Sequence, residues 1–77
     1  MTDYRNINGN SGILRYEIGS DFIIVEFRPT GRWTTYKYSY SNPGQIEIEH
    51  MKELAGQGFG LNSYISREIR DRFEERN

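Results

Sequence analysis

Phe22-Ile23-Ile24-Val25-Glu26-Phe27 decides the fold. Five of its six residues are apolar and three are β-branched, in a run too short for a helix and closed by turn residues on both sides. It reads as a strand whose fully apolar face is Ile23, Val25 and Phe27. Before it, Gly19-Ser20-Asp21 has turn chemistry. Further back, Leu14, Tyr16 and Ile18 alternate with Arg15 and Glu17, the period of a half-buried strand. After it, Pro29-Thr30-Gly31 makes a turn into a third strand from Trp33 to Tyr40, where Tyr36, Tyr38 and Tyr40 alternate with Lys37 and Ser39. Short strands joined by tight turns form a three-stranded antiparallel meander.

The rest of the chain reads as two helices. Asn42-Pro43-Gly44-Gln45 combines an N-cap residue, a proline for the first helical position and a glutamine three residues on. Ile48, Met51, Leu54 and Ala55 share one face of the helix that follows, and Gly56, Gly58 and Gly60 end it. A last helix is predicted from Asn62 to Glu75, with Leu61, Ile65, Ile69 and Phe73 along one stripe. Asn62 is placed as its N-cap. The expected class is α+β: a three-stranded meander followed by two helices packed on one face. Residues 1–11, polar and containing Asn8-Gly9, read as a flexible tail, and residues 12–77 as one domain.

Composition narrows the chemistry. A chain of 77 residues carries one small core, and an aromatic content of 14% supplies the burial that a hydrophobic content of 35% would otherwise leave short. No cysteine is present, which excludes disulfides and thiolate metal sites. The net charge of −1 gives no general attraction to nucleic acid or anionic membrane. With a polar start and no spanning segment, a cytoplasmic protein without membrane association is expected.

Catalysis finds no constellation to work with. His50 is the only histidine and has no evident partner, so it reads as a solvated surface residue. Glu47, Glu49 and Glu53 read as a solvated acidic helix surface rather than a cation site. Gly56-Gln57-Gly58-Phe59-Gly60 lacks the lysine and the preceding strand of a phosphate loop, so it reads as a helix–helix connector, with anion binding beside it left open. No enzyme, metal or cofactor is expected.

Two surfaces could bind a partner. Opposite the core face, the sheet would carry Arg15, Ile24, Arg28, Trp33, Thr35 and Lys37, a mixture of cations and one ring suited to single-stranded nucleic acid, although Glu17 and Glu26 share that face. The last helix carries Arg67, Arg70, Arg72 and Arg76, balanced by acids in the i,i+4 pairs Arg67–Asp71, Glu68–Arg72 and Arg70–Glu74. Contact through Arg15, Arg28, Trp33, Lys37, Asn62, Arg67 and Arg70 would make the protein an RNA-binding or single-strand-binding module. The alternative is a protein-interaction or self-associating module anchored on Trp33 and Ile24.

Ile24-Val25-Glu26-Phe27, Gly31 with Tyr36-Lys37-Tyr38, Gly60-Leu61-Asn62-Ser63-Tyr64-Ile65 and Ile69-Arg70-Asp71-Arg72-Phe73 together resemble the KTSC domain over about residues 12–73. That family occurs alone in bacterial proteins and at the C-terminus of some lysyl-tRNA synthetases. Thr34-Thr35 appears as an insertion relative to it, and Ser41-Asn42-Pro43 replaces its usual Val-Pro-like helix start. The resemblance carries no established activity and implies only an RNA-related or accessory role.

Overall fold

The computed structural model describes residues 1–9, 11–29 and 31–77. It is an α+β fold, and its meander is longer than the sequence pattern suggested. Among the described residues the sheet has five antiparallel strands in chain order: β1 (Thr2–Asp3), β2 (Ile13–Ile18), β3 (Phe22–Phe27), β4 (Thr35–Ser39) and β5 (Glu75–Arg76). The three central strands are those read from the alternation. Helix α1 (Gln45–Gln57) lies on one face against β3 and β4, followed by α2 (Leu61–Tyr64) and a wider π-helical turn (Ile65–Ile69).

Strand register fixes which side chains share a face. Tyr16, Val25 and Tyr36 form one cross-strand row, and Ile18, Ile23 and Tyr38 the next, all toward the helices. Ile23, Val25 and Tyr38 are fully buried against Ile48, Met51, Leu61 and Ile69. Each such burial is worth about 1.5–3 kcal/mol. The Leu14 position departs from strict alternation. A bulge between Ile13 and Arg15 shifts the register, so Ile13 takes the buried place opposite Phe27 and Leu14 is only half-buried.

The expected tail, of which residue 10 lies outside the described residues, contains a strand and a core residue. Thr2 and Asp3 pair with Tyr16 and Arg15, and Tyr4 is 6% exposed within the core. Its ring packs edge-on to Tyr16, and its hydroxyl accepts a hydrogen bond from the Leu61 amide at 3.4 Å. Ile7 N–H donates to the Gly58 carbonyl at 2.8 Å, and Arg5 donates to the Gly56 carbonyl. A two-residue strand is too short to show a period in the sequence.

Both expected helix caps shift. Gly44, with φ 133°, precedes α1, and neither Asn42 nor Gln45 caps it. Asn42-Pro43 instead forms a cis turn, and the Asn42 side chain donates to the Phe73 carbonyl at 3.1 Å. At the other end, the glycine connector behaves as read: Gly58, left-handed at φ 81°, donates to the Leu54 and Ala55 carbonyls. Gly60, not Asn62, precedes α2, so Asn62 lies inside the helix without a capping bond.

The last helix stops at Ile69, not Glu75. Apolar residues spaced by four overshoot a full α-helical turn by about 40° at each step, so the Leu61–Phe73 stripe would wrap away from the core. The π-helical turn, closed by Arg70 N–H donating to the Ile65 carbonyl, takes more residues per turn and returns Ile69 to full burial. The chain then breaks, and Phe73 reaches the core from an extended segment. None of the three expected i,i+4 ion pairs occurs among the described residues; Arg72 donates instead to the Glu68 carbonyl at 2.6 Å.

Tyr4→Ala should cost about 3 kcal/mol or more in urea unfolding, the penalty of emptying a buried aromatic site; a flexible tail would show no change. Gly19→Ala should lower stability by about 1–2 kcal/mol, because the added methyl would sit 2.0 Å from the Phe22 ring and displace it.

Candidate functional site

The open sheet face does not assemble the platform expected of it. Register places Asp3, Arg15, Glu26 and Thr35 in one row, and Glu17, Ile24, Lys37 and Glu75 in the next. Four carboxylates therefore share this face with two cations, and both cations are engaged. Arg15 Nε donates to Glu26 Oε1 at 2.5 Å. Lys37 Nζ lies 3.5 Å from Glu74 and 4.9 Å from the Phe22 ring centroid. The Glu74 carboxyl is held below its ordinary value, chiefly by the Ser39 hydroxyl and then by Lys37, so it is ionised at neutral pH. Such a surface repels phosphate.

Trp33 is not on that face. It precedes β4, and its ring walls a groove on the helix-bearing side lined by Phe27, Tyr36, Tyr38, Phe73, Arg70 and Arg76, with Ile65 and Asp71 completing it. The groove measures about 340 Å³. Trp33 and Ile24 are thus apart, and the shared apolar anchor expected for self-association is not formed.

The groove's floor is aromatic. Tyr36 meets Phe27 edge-on at 5.6 Å and Phe73 at 5.2 Å, and stacks with Tyr38 at 6.4 Å. Burial pushes the Tyr38 phenol well above its ordinary value, so it stays neutral. Above the floor sit guanidinium groups. Arg76 lies opposite Tyr36 in the sheet register, with its guanidinium 4.7 Å from the Trp33 centroid and 5.0 Å from that of Phe73. Arg32 lies 5.0 Å from the same Trp33 centroid. No ion pair among the described residues involves Arg32, Arg70 or Arg76. Stacking on rings keeps a guanidinium plane oriented while leaving its N–H edge free for an anion.

Backbone irregularity places Arg70 here. The π-helical turn ends on it, and its φ of 54° with ψ of −118° lies where side chains rarely go. Such strain costs about 1–3 kcal/mol and concentrates at functional positions.

The other expected contacts disperse. Arg28 lies beside a shallow hollow with Gly9, Ser11 and Gly12, and Arg67 is exposed on the π-helical turn. Asn62 lines a separate polar hollow with Asn6, Asn8 and Phe59. His50 is exposed, its ring 4.6 Å from Tyr64. Of the seven residues expected to contact a partner, only Trp33 and Arg70 meet. Arg76 and Phe73 complete the site, with Arg32 against the Trp33 ring but not in the groove lining, and Arg76 was visible in the sequence only as one of four arginines on a supposed helix.

Among the described residues no three His, Asp or Glu side chains cluster as a metal site, and no helix is long and apolar enough to cross a membrane. No family model matches the chain, and no curated protein or solved structure matches it either.

Arg70→Gly should raise stability by about 1 kcal/mol in thermal or urea unfolding: relief of the strained φ outweighs the roughly 0.5–1 kcal/mol that glycine adds to unfolded-state entropy. A drop in stability would show that the residue is not strained.

Proposed function

We propose that this protein is a small non-enzymatic binding module that takes single-stranded RNA or DNA in the Trp33 groove. What supports this reading is one juxtaposition: the guanidinium groups of Arg70 and Arg76, without carboxylate partners among the described residues, line the groove beside an aromatic floor, and Arg32 lies against the Trp33 ring. Bases stack on aromatic rings and on guanidinium planes, and guanidinium edges pair with phosphate oxygens. A neutral apolar partner would leave those cations unanswered. The site is thus the helix-side groove, not the open sheet.

Action in the cytoplasm and membership of the KTSC family belong to the same proposal. The family reading rests on the Ile24–Phe27, Tyr36–Tyr38 and Gly60–Ile65 segments.

Trp33 is the only tryptophan, so its fluorescence reports on the groove directly. Adding a single-stranded RNA pool at low salt should quench it and shift the amide resonances of residues 33–38 and 69–76. With two arginines at phosphate, log affinity should fall against log salt with a slope of about −1.4. Arg76→Gln should weaken binding several-fold and reduce that slope. Shifts confined to Arg15, Ile24 and Lys37 would move the site to the open face and overturn the reading.

A further inference from the structure

We infer that the hollow between the N-terminal segment and the glycine connector is a second binding site, for a neutral polyhydroxylated ligand the size of one sugar ring. It shares no residue with the Trp33 groove and does not depend on what that groove binds.

The hollow measures about 290 Å³ and is walled by the N-terminal segment, the connector and the first residues of α2. Gly58 and Gly60, left-handed at φ 81° and 85°, bend the connector around one side. The Ile7 amide donates to the Gly58 carbonyl at 2.8 Å and holds the N-terminal segment against it. Within that segment the Asn6 side chain is already committed. Its Oδ1 accepts from the Ser11 amide at 3.1 Å, and its Nδ2 donates to the Ser11 carbonyl at 3.4 Å. These walls are built before a ligand arrives, which lowers the ordering cost of binding.

A buried hydrogen points to an occupant. Tyr4 is 6% exposed and lines the hollow, and its hydroxyl oxygen accepts from the Leu61 amide. Among the described residues nothing accepts the hydroxyl's own hydrogen. Buried donors are ordinarily satisfied, and one left unmet is costly. A ligand oxygen seated there removes that cost.

The lining selects the ligand class. Among the described residues no charged side chain lines the hollow, and Arg5, beside Tyr4 in the chain, is engaged by the Gly56 carbonyl. An anion or a cation would thus find no counter-charge. Asn8, Asn62 and Ser63 line it with side chains that make no hydrogen bond among the described residues. Amides and hydroxyls both donate and accept, as sugar hydroxyls do, so a polyol can answer each of them. Phe59, 46% exposed, supplies a single ring. A sugar ring has one apolar face for it and hydroxyls around its perimeter. A planar base has two apolar faces to cover and keeps its polar atoms on its edge. Size limits the ligand too: sites for discrete small molecules begin at about 300 Å³, so this one takes a single ring and binds it at about millimolar strength.

The test follows the amide resonances of the isotope-labelled full chain. It is titrated with glucose, galactose, mannose and N-acetylglucosamine, and in parallel with inorganic phosphate and with uridine. At least one sugar should saturably shift Tyr4, Asn8, Phe59, Gly60 and Asn62 while leaving residues 70–76 in place. Phe59→Ala and Asn62→Ala should each weaken that binding by about five-fold or more. Tyr4→Phe keeps the ring in the core, removes the hydroxyl and should weaken it as much. Arg76→Gln should leave it unchanged. No saturable shift with any of the four sugars overturns the inference. So does phosphate or uridine moving the same amides as strongly as the best sugar, or sugar binding that survives all three weakening substitutions. None of these outcomes bears on the Trp33 groove, whose response is read at other residues.

Discussion

Leu61, Ile65 and Ile69 must all reach one core, yet their spacing of four does not match the α-helical repeat. Much of the molecule's character depends on how that mismatch is met. Widening the turn at Ile65–Ile69 keeps the aliphatic row buried, and the strained Arg70 then ends the helix. Only because the helix ends there can the following segment run back along β4. Glu74 N–H donates to the Lys37 carbonyl, and Thr34 and Thr35 donate to that of Asn77. Phe73 settles on Tyr36 and Arg76 on Trp33. A regular helix through Glu75 would have carried both side chains off the sheet, and the groove would have neither its far wall nor its central cation.

The same mismatch shows why the fold was partly legible in the sequence. Strands β2 to β4 announce themselves because alternation holds for five or six residues at a time. Helix α1 shows a clear apolar face, and the glycine that ends it does what glycine does after a helix. Segments of two residues carry no period, so β1 and β5 were invisible, and Tyr4 looked like one aromatic in a polar stretch. Ile69-Arg70-Asp71-Arg72-Phe73-Glu74 has good local helix preference and balanced charges. Its tertiary pairing with β4 overrides that preference, a competition no local pattern displays. The strict spacing of four was the available clue, since an α-helix cannot keep such a stripe on one side.

Trp33 illustrates a subtler limit. Parity with Thr35 and Lys37 assigns it to the open sheet face, but parity applies only within a strand, and β4 begins at Thr35. The ring therefore turns to the helix side. That one inversion moves the aromatic residue from an acidic surface, where Arg15 and Lys37 are already paired, to a groove whose guanidinium groups have no ion-pair partner among the described residues. Charge is thus divided between the two sides of the sheet, a separation that the net charge of −1 conceals.

The two outermost strands are only two residues long. An edge of that length offers too few free amides and carbonyls to template another chain, one of the ways sheet proteins avoid stacking edge to edge into fibrils. It equally shortens the border at which many small domains capture peptides through main-chain pairing. What the sheet turns outward is therefore mostly side chains, in rows that the strand register sets, rather than unpaired backbone.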